Sequence, residues 1–558
     1  MHPLIPALAI ALTLSGLAVA APAPISATRI MGDIKMLSSD DFEGRGPATA
    51  GEAKTIAYLI KQMRAAGLQP AGDPQAGGAR AWTQDVPLAR FRTSGPVNIS
   101  VTAGGVTSSW SQGQEVAIRA AQTGIDHLTV KHAPVVFVGY GVTAPERNWD
   151  DFKGIDLKGK VALVLINDPD FETGPNTGNE GDFGGRAMTY YGRWTYKFEE
   201  AARRGAIGFL VIHETAPASY GWATVKNSNT NEIFDVIRKD PTAAHAPLEG
   251  WIQRDAAAGL MTAAGLDFET LKRQAQTRAF RPVELTGVRF STDYAVDAQK
   301  VISHNVVGVI AGGKFPDERV IYSAHWDHLG VGLADAKGDR IYNGALDNAS
   351  GTAMLLELAR VHAQAPRPAR SLVFLAVTAE EKGLLGSEYY ASAPLYPLET
   401  TVGVINMDGV GPTGLARDFT TSGNAALTLQ DDLIAVGARH GRTYSPDPRL
   451  EGGYFFRSDH FPFAKVGVPA ISFGGGQDLV DGGRAAGKAK SEAYTRDRYH
   501  QPADEFDPTW DPKGFEADGS LLFELGRDLA TSRKWPAWKA GSEFKARRDE
   551  TAAARGPR

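Results

Sequence analysis

The chain has 558 residues, 43% of them hydrophobic and 22% charged, with a formal net charge of -5. That balance excludes global disorder, and it lacks the cationic surplus that a nucleic-acid binder needs to meet phosphates. Cysteine is absent, which excludes disulfides, thiolate-held zinc, iron–sulfur clusters and thiol nucleophiles, so any metal must be held by carboxylates and by some of the 12 histidines.

An apolar stretch runs from Leu4 to Ala20 and ends in Ala18-Val19-Ala20, the small-x-small pattern of a cleavage site. Residues 1–20 therefore read as a signal peptide, and the protein as exported, periplasmic or extracellular. No later stretch approaches the ~18 uninterrupted apolar residues of a span, so no stable membrane insertion is expected after signal removal. Residues 21–130 form the first part of the main domain. There a helical pattern from Met31 meets the break Glu43-Gly44-Arg45-Gly46-Pro47, and a second helix follows with Ile56, Leu59, Ile60 and Met63 on one face.

Residues 131–290 differ in texture. The runs Val135–Val138, Val161–Ile166 and Phe209–Ile212 are strand-like, with a helix near Tyr196–Arg204. This segment holds no evident catalytic cluster and reads as an inserted β-rich module. From 291 to 535 strands and helices alternate: strands at Val320–Ala324, Leu372–Val377, Val402–Met407 and Val468–Phe473, helices at Thr352–His362 and near Leu384–Ala391. The expected fold is α/β, a mixed, largely parallel sheet sandwiched by helices. Residues 536–558, rich in Lys and Arg among Ala and Gly, read as a flexible basic tail.

In such sheets ligands bind beyond the carboxyl ends of the strands. Past Val320–Ala324 come His325, Asp327 and His328; past Leu372–Val377 come Glu380 and Glu381; past Val402–Met407 comes Asp408. Asp347 stands in a small-residue turn that opens a helix, and His500 in a polar loop after Tyr499. Each is weak alone. Together they place acids and imidazoles at successive strand ends, where converging carboxylates repel and lose hydration. One or two dications offset that charge. Sulfur-free His/carboxylate ligation suits Zn²⁺ best, with Mn²⁺ or Co²⁺ also compatible. A pair of such ions about 3.5–4 Å apart is suited to amide hydrolysis. No serine has glycine at both -2 and +2, so a nucleophile elbow is absent.

Ala324-His325-Trp326-Asp327-His328-Leu329-Gly330, Asn343–Gly351, Thr378–Ser387, Asn406-Met407-Asp408, Ser458-Asp459-His460 and Tyr499-His500 resemble the M28 family of di-zinc exopeptidases. Val138-Gly139-Tyr140-Gly141 and Ala201–Ala206 resemble the protease-associated (PA) domain inserted in many members. The resemblance implies two Zn²⁺ per chain, with Asp347 bridging, His325 and Asp408 completing one metal, and Glu381 and His500 the other. It implies Glu380 as general base, Asp327 as acceptor for the His325 ring, and a cis peptide at Asp347-Asn348. Tyr499 is the candidate donor to the oxyanion.

The implied function is an exported zinc exopeptidase acting on peptides through a hydroxide held between two metals, with aminopeptidase action the first expectation. Carboxypeptidase action, a glutaminyl cyclase-like activity and a non-catalytic peptide binder stay open. Tyr454-Phe455-Phe456 reads equally as a pocket wall or core, and Arg457 as a surface ion pair or a carboxylate binder.

Overall fold

The N-terminal pattern resolves into two helices, α1 (Ala27–Leu37) and α2 (Ala50–Ala65), each begun by a hydroxyl cap. Ser26 Oγ accepts from the Arg29 amide, and Thr49 Oγ from the Glu52 amide. Between the helices the chain turns through Gly44 at φ +64°, where an added Cβ would lie 2.5 Å from the Tyr342 carbonyl oxygen. Only glycine permits that approach. In the computed structural model the described residues are 24–173, 182–411, 413–423 and 426–555; the signal-peptide reading, 1–20, lies outside them.

The next strands are β1 (Thr83–Ala103), β2 (Val116–Ile118), β3 (His127–Phe137) and β4 (Val161–Leu165). Then come α3 (Trp194–Arg203), β5 (Gly208–His213), α4 (Trp222–Asn229), β6 (Ile233–Val236), β7 (Leu248–Gln253), α5 (Arg254–Ala263) and α6 (Phe268–Ala275). β3, β4, β5 and β7 lie side by side in parallel, and β2, from ahead of residue 131, closes the edge antiparallel to β7. Val161, Leu163 and Leu165 share one apolar cluster with α5 and α6, while Ala162 and Val164 share another with α3. The insert expected to be β-rich is thus an α/β layer, because its parallel strands are apolar on both faces and each face needs a cover.

The elements that build the main sheet and its covers include β8 (Val283–Ile310), β9 (Phe315–His325), α7 (Gly351–Gln364), β10 (Arg370–Val377), α8 (Leu385–Ser392), β11 (Thr401–Met407), β12 (Ala470–Gly475) and α9 (Lys513–Thr531). The strand order is β12-β11-β9-β10-β8, the first four parallel and β8 antiparallel. This is the expected mixed, largely parallel sheet. Val320, Tyr322 and Ala324 join α1, α2, α7 and α9 on one face; Ile321 joins Val373, Leu375, Tyr390 and Phe463 on the other. The 28-residue β8 carries the sheet onward: its first half pairs with β3 and its last residues with β10.

Of residues 536–558, expected to be a flexible tail, the described part, 536–555, packs down. Trp538 is 3% exposed and its indole donates to the Gly467 carbonyl at 2.9 Å. The buried Arg548 guanidinium donates to the Thr401 carbonyl at 2.8 Å. An indole and a guanidinium find buried acceptors here, which outweighs the polar composition around them. Among the described residues no helix is long and apolar enough to cross a membrane.

Candidate metal centre

The parallel register sets the side chains that emerge past the strands. His325, the last residue of β9, stands opposite Val377 of β10, and Asp408 follows directly on β11. Glu380 and Glu381 lie in a short turn just past β10, entered through Ala379 at φ +52°. Asp347 lies in the turn that opens α7, and the Asp347–Asn348 peptide is cis. Gly351 begins that helix so close to β11 that a Cβ would lie 2.4 Å from the Met407 carbonyl oxygen.

These folds bring the five expected ligands into one cluster. His325 Nε2 is 3.3 Å from Asp347 Oδ1 and 3.3 Å from Asp408 Oδ1. His500 Nε2 is 3.2 Å from the other Asp347 oxygen, Oδ2, and 3.0 Å from Glu381 Oε2. Asp347 therefore turns one oxygen to each imidazole, and each imidazole has a second carboxylate beside it.

The donor set fits divalent ions. Burial pushes the Asp327 and Asp459 carboxyls up to about 7 and that of Asp504 to about 6. Arg45 and Lys382 supply fixed positive charge against them. Glu381 Oε1 and both ring nitrogens of His328 are buried with no hydrogen-bond partner among the described residues, although His328 Nδ1 lies 2.6 Å from that oxygen. Unused lone pairs beside surplus negative charge are what a dication satisfies.

Residues 305–524 match the model of peptidase family M28. They form an M28 peptidase domain. Within the curated proteins, an aminopeptidase named NAALADL1 from Mus musculus is 30% identical over 229 residues, 37% of this chain and 28% of that protein. A probable zinc metalloprotease from Pyricularia oryzae is 38% identical over 113 residues, 20% of this chain and 22% of that one. The matched stretches span about a quarter of each of these relatives. An aminopeptidase structure from Aneurinibacillus sp. strain AM-1 shares the fold at TM-score 0.53 and 19% identity, over 93% of this chain and 97% of that one.

Two expectations about the M28 domain need correction. The Asp327 carboxylate does not receive the His325 ring: Nδ1 faces the Asp327 backbone carbonyl at 3.2 Å, and the nearer carboxylate oxygen is 3.8 Å away. That carboxylate instead accepts from the amides of Glu380 (3.1 Å) and Glu381 (3.4 Å), so it holds the acidic turn. Arg457 is not in a surface ion pair. It donates to the Tyr499 hydroxyl at 3.1 Å, to Ser219 Oγ and to the Gly452 carbonyl, against the rings of Tyr220 and Tyr454.

Supports that sequence reasoning missed come from distant segments. From α4, Ser228 Oγ lies 2.8 Å from His500 Nδ1, and Asn227 donates to the His500 carbonyl at 3.0 Å. This bond orients the imidazole and turns Nε2 inward. Asp504 accepts from the amides of Leu346 and Asp347 and from the Tyr494 hydroxyl. Buried Arg45 donates to the carbonyls of Leu37, Trp326, Asn343 and Gly344. His328, adjacent in sequence to a predicted ligand, joins Asp347 and Glu381 as a possible metal group. A cavity of about 370 Å³ opens beside the centre, lined by Glu380, Glu381, Tyr499 and His500 from one side and by Arg193, Tyr220 and Ser228 from the other.

Proposed function

We propose that this protein is an exported zinc-dependent aminopeptidase, removing N-terminal residues from peptides in the cavity beside the His325–His500 cluster. The observation that carries the reading is Asp347, whose two oxygens face two separate imidazoles, at 3.3 and 3.2 Å, each with its own further acid. His325, Asp347 and Asp408 would hold one zinc and Asp347, Glu381 and His500 the second. Bound there, zinc would supply Lewis acidity and a water nucleophile reactive at neutral pH.

The chain's own groups divide the remaining work. Asp327 fixes the Glu380 amide, and Glu380 faces the cavity. Its carboxylate takes the proton of the attacking water and returns it to the leaving amine. The Tyr499 hydroxyl already accepts from Arg457. Its own proton is therefore left to donate to the oxyanion as the carbonyl becomes tetrahedral. Residues 131–290 act as a protease-associated module that narrows entry to the cleft; α4 supports the reading by gripping the Tyr499–His500 loop.

A panel of aminoacyl p-nitroanilides and matched N-acetylated peptides, with and without chelator, tests this. Free-amine substrates should turn over, blocked ones should not, and chelator should abolish the rate. Turnover of blocked peptides alone would reverse the polarity of the assignment.

A further inference from the structure

His328 stands just past the end of β9, and the two ligand sets above leave it out. Its side chain is fully buried, and both ring nitrogens lack a hydrogen-bond partner among the described residues. His460 shares that condition, but its ring packs on that of Phe455, 5.0 Å between centroids. No carboxylate lies within 4.0 Å of His460 among the described residues. His328 instead meets an acid in the same state. Its Nδ1 is 2.6 Å from Glu381 Oε1, which is also buried and unpartnered.

A proton donated along that contact would satisfy both atoms, and neither is satisfied. The ring and the acid lie side by side, as two ligands on one ion do. One donor atom from each of His328, Asp347 and Glu381 lies within 4.8 Å of the others. Donors about 2.0–2.2 Å from one zinc are at most about 4.4 Å apart, so a small inward shift closes the set. His500 approaches from another side. Its ring meets that of His328 at 80°, with centroids 5.6 Å apart, and its Nε2 is 3.0 Å from Glu381 Oε2. Glu381 thus gives one oxygen to each of two rings. The fold makes room for the extra imidazole at Gly344, φ +52°, where an added Cβ would lie 2.5 Å from His328 Cγ. The His328 amide is tied in turn to the Arg45 carbonyl at 3.3 Å.

We infer that His328 is a fourth protein ligand of the second metal. That ion is then enclosed by His328, Asp347, Glu381 and His500, while the first has only His325, Asp347 and Asp408. This rests on the zinc peptidase reading above and deepens it. Four protein ligands close a zinc site, whereas three leave a position for water or substrate. The two sites are therefore unequal: the enclosed one fills first, and the open position belongs to the His325–Asp408 side.

The experiment adds zinc stepwise to chelator-stripped full-length protein, read by X-ray absorption and by competition with a chromogenic chelator. At one equivalent, wild type should show more than one imidazole per zinc, close to two. His328→Ala should bring that count to one. It should also weaken the tighter zinc by more than the about 10–100-fold that a lost orienting contact costs, and leave the weaker zinc unchanged. One imidazole per zinc in wild type at both one and two equivalents would refute the fourth ligand while the two-metal reading stands. That count combined with weaker binding in His328→Ala would make His328 a support for Glu381 and equally overturn ligation. No zinc in the folded wild-type protein would sink the peptidase reading itself. The wild-type count decides the matter even if His328→Ala does not fold.

Discussion

Arg45 ties the N-terminal segment to the metal centre, and replacing it with methionine tests how the centre is held. Its guanidinium, 1% exposed, donates four hydrogen bonds of 2.6–2.8 Å, to the carbonyls of Leu37, Trp326, Asn343 and Gly344. Trp326 stands between His325 and Asp327, and Gly344 leads into the turn of Asp347, so both ligand loops hang on one side chain. At about 1.5 kcal/mol for each bond from a charged donor, the four contribute about 6 kcal/mol. Against this stands burial, which lowers the guanidinium from 12.5 to about 10, a cost of about 3 kcal/mol. Arg45→Met should therefore lose on the order of 3 kcal/mol of unfolding free energy. Arg45→Lys should recover only part of it, because one ammonium does not span four carbonyls. Urea unfolding followed by circular dichroism, with zinc titrated by calorimetry, measures both effects. Unchanged stability within about 1 kcal/mol together with wild-type zinc affinity would show that the loops are held by something else.

Glu380→Gln should keep its zinc and lose about 10²–10⁴-fold in kcat; full activity in steady-state assays would remove Glu380 from the base role. Ser228→Ala frees the His500 ring and should weaken zinc binding about 10–100-fold, read by competition with a chromogenic chelator; an unchanged affinity would reduce the α4 contact to packing. His245 gives a pH signature away from the metals. Burial opposes its charge, but hydrogen bonds to Asp235 and Glu249 outweigh it and raise the imidazole from 6.5 to about 9. The ion-paired form stabilises the fold fully below pH 6.5, and that contribution drains away as pH rises through 9. Wild type should lose on the order of 3 kcal/mol across that window relative to His245→Gln; parallel stability curves for the two proteins would contradict the pairing.

The main sheet was readable because its parallel strands are continuous apolar runs. The acids and histidines that follow them stand at strand ends by construction, so His325, Glu381 and Asp408 could be placed before any coordinates. Asp347 and His500 lie on loops, where strand ends do not place them, and the resemblance to a family pattern is what implied their ligand roles. What stayed hidden depends on contacts between remote segments. Ser228 meets His500 across 272 positions of sequence, and no local pattern encodes that. Arg457 looked like a surface cation because local polarity does not show that Tyr220 and Tyr454 close over it. Asp327 changed partner for a geometric reason: at the end of β9 its carboxylate turns toward the amides past β10, while its own carbonyl takes the histidine ring. The C-terminal segment misled through its charge, since Trp538 and Arg548 both find buried carbonyls to bond.

The claim on which the rest depends is that two clusters sharing Asp347 each hold a metal. Elemental analysis of the full-length protein after zinc loading and exhaustive dialysis tests it directly. The account predicts about two zinc per chain, falling well below that in Asp347→Ala. Zinc near zero in the folded wild-type protein, or content unaffected by the loss of Asp347, would contradict it.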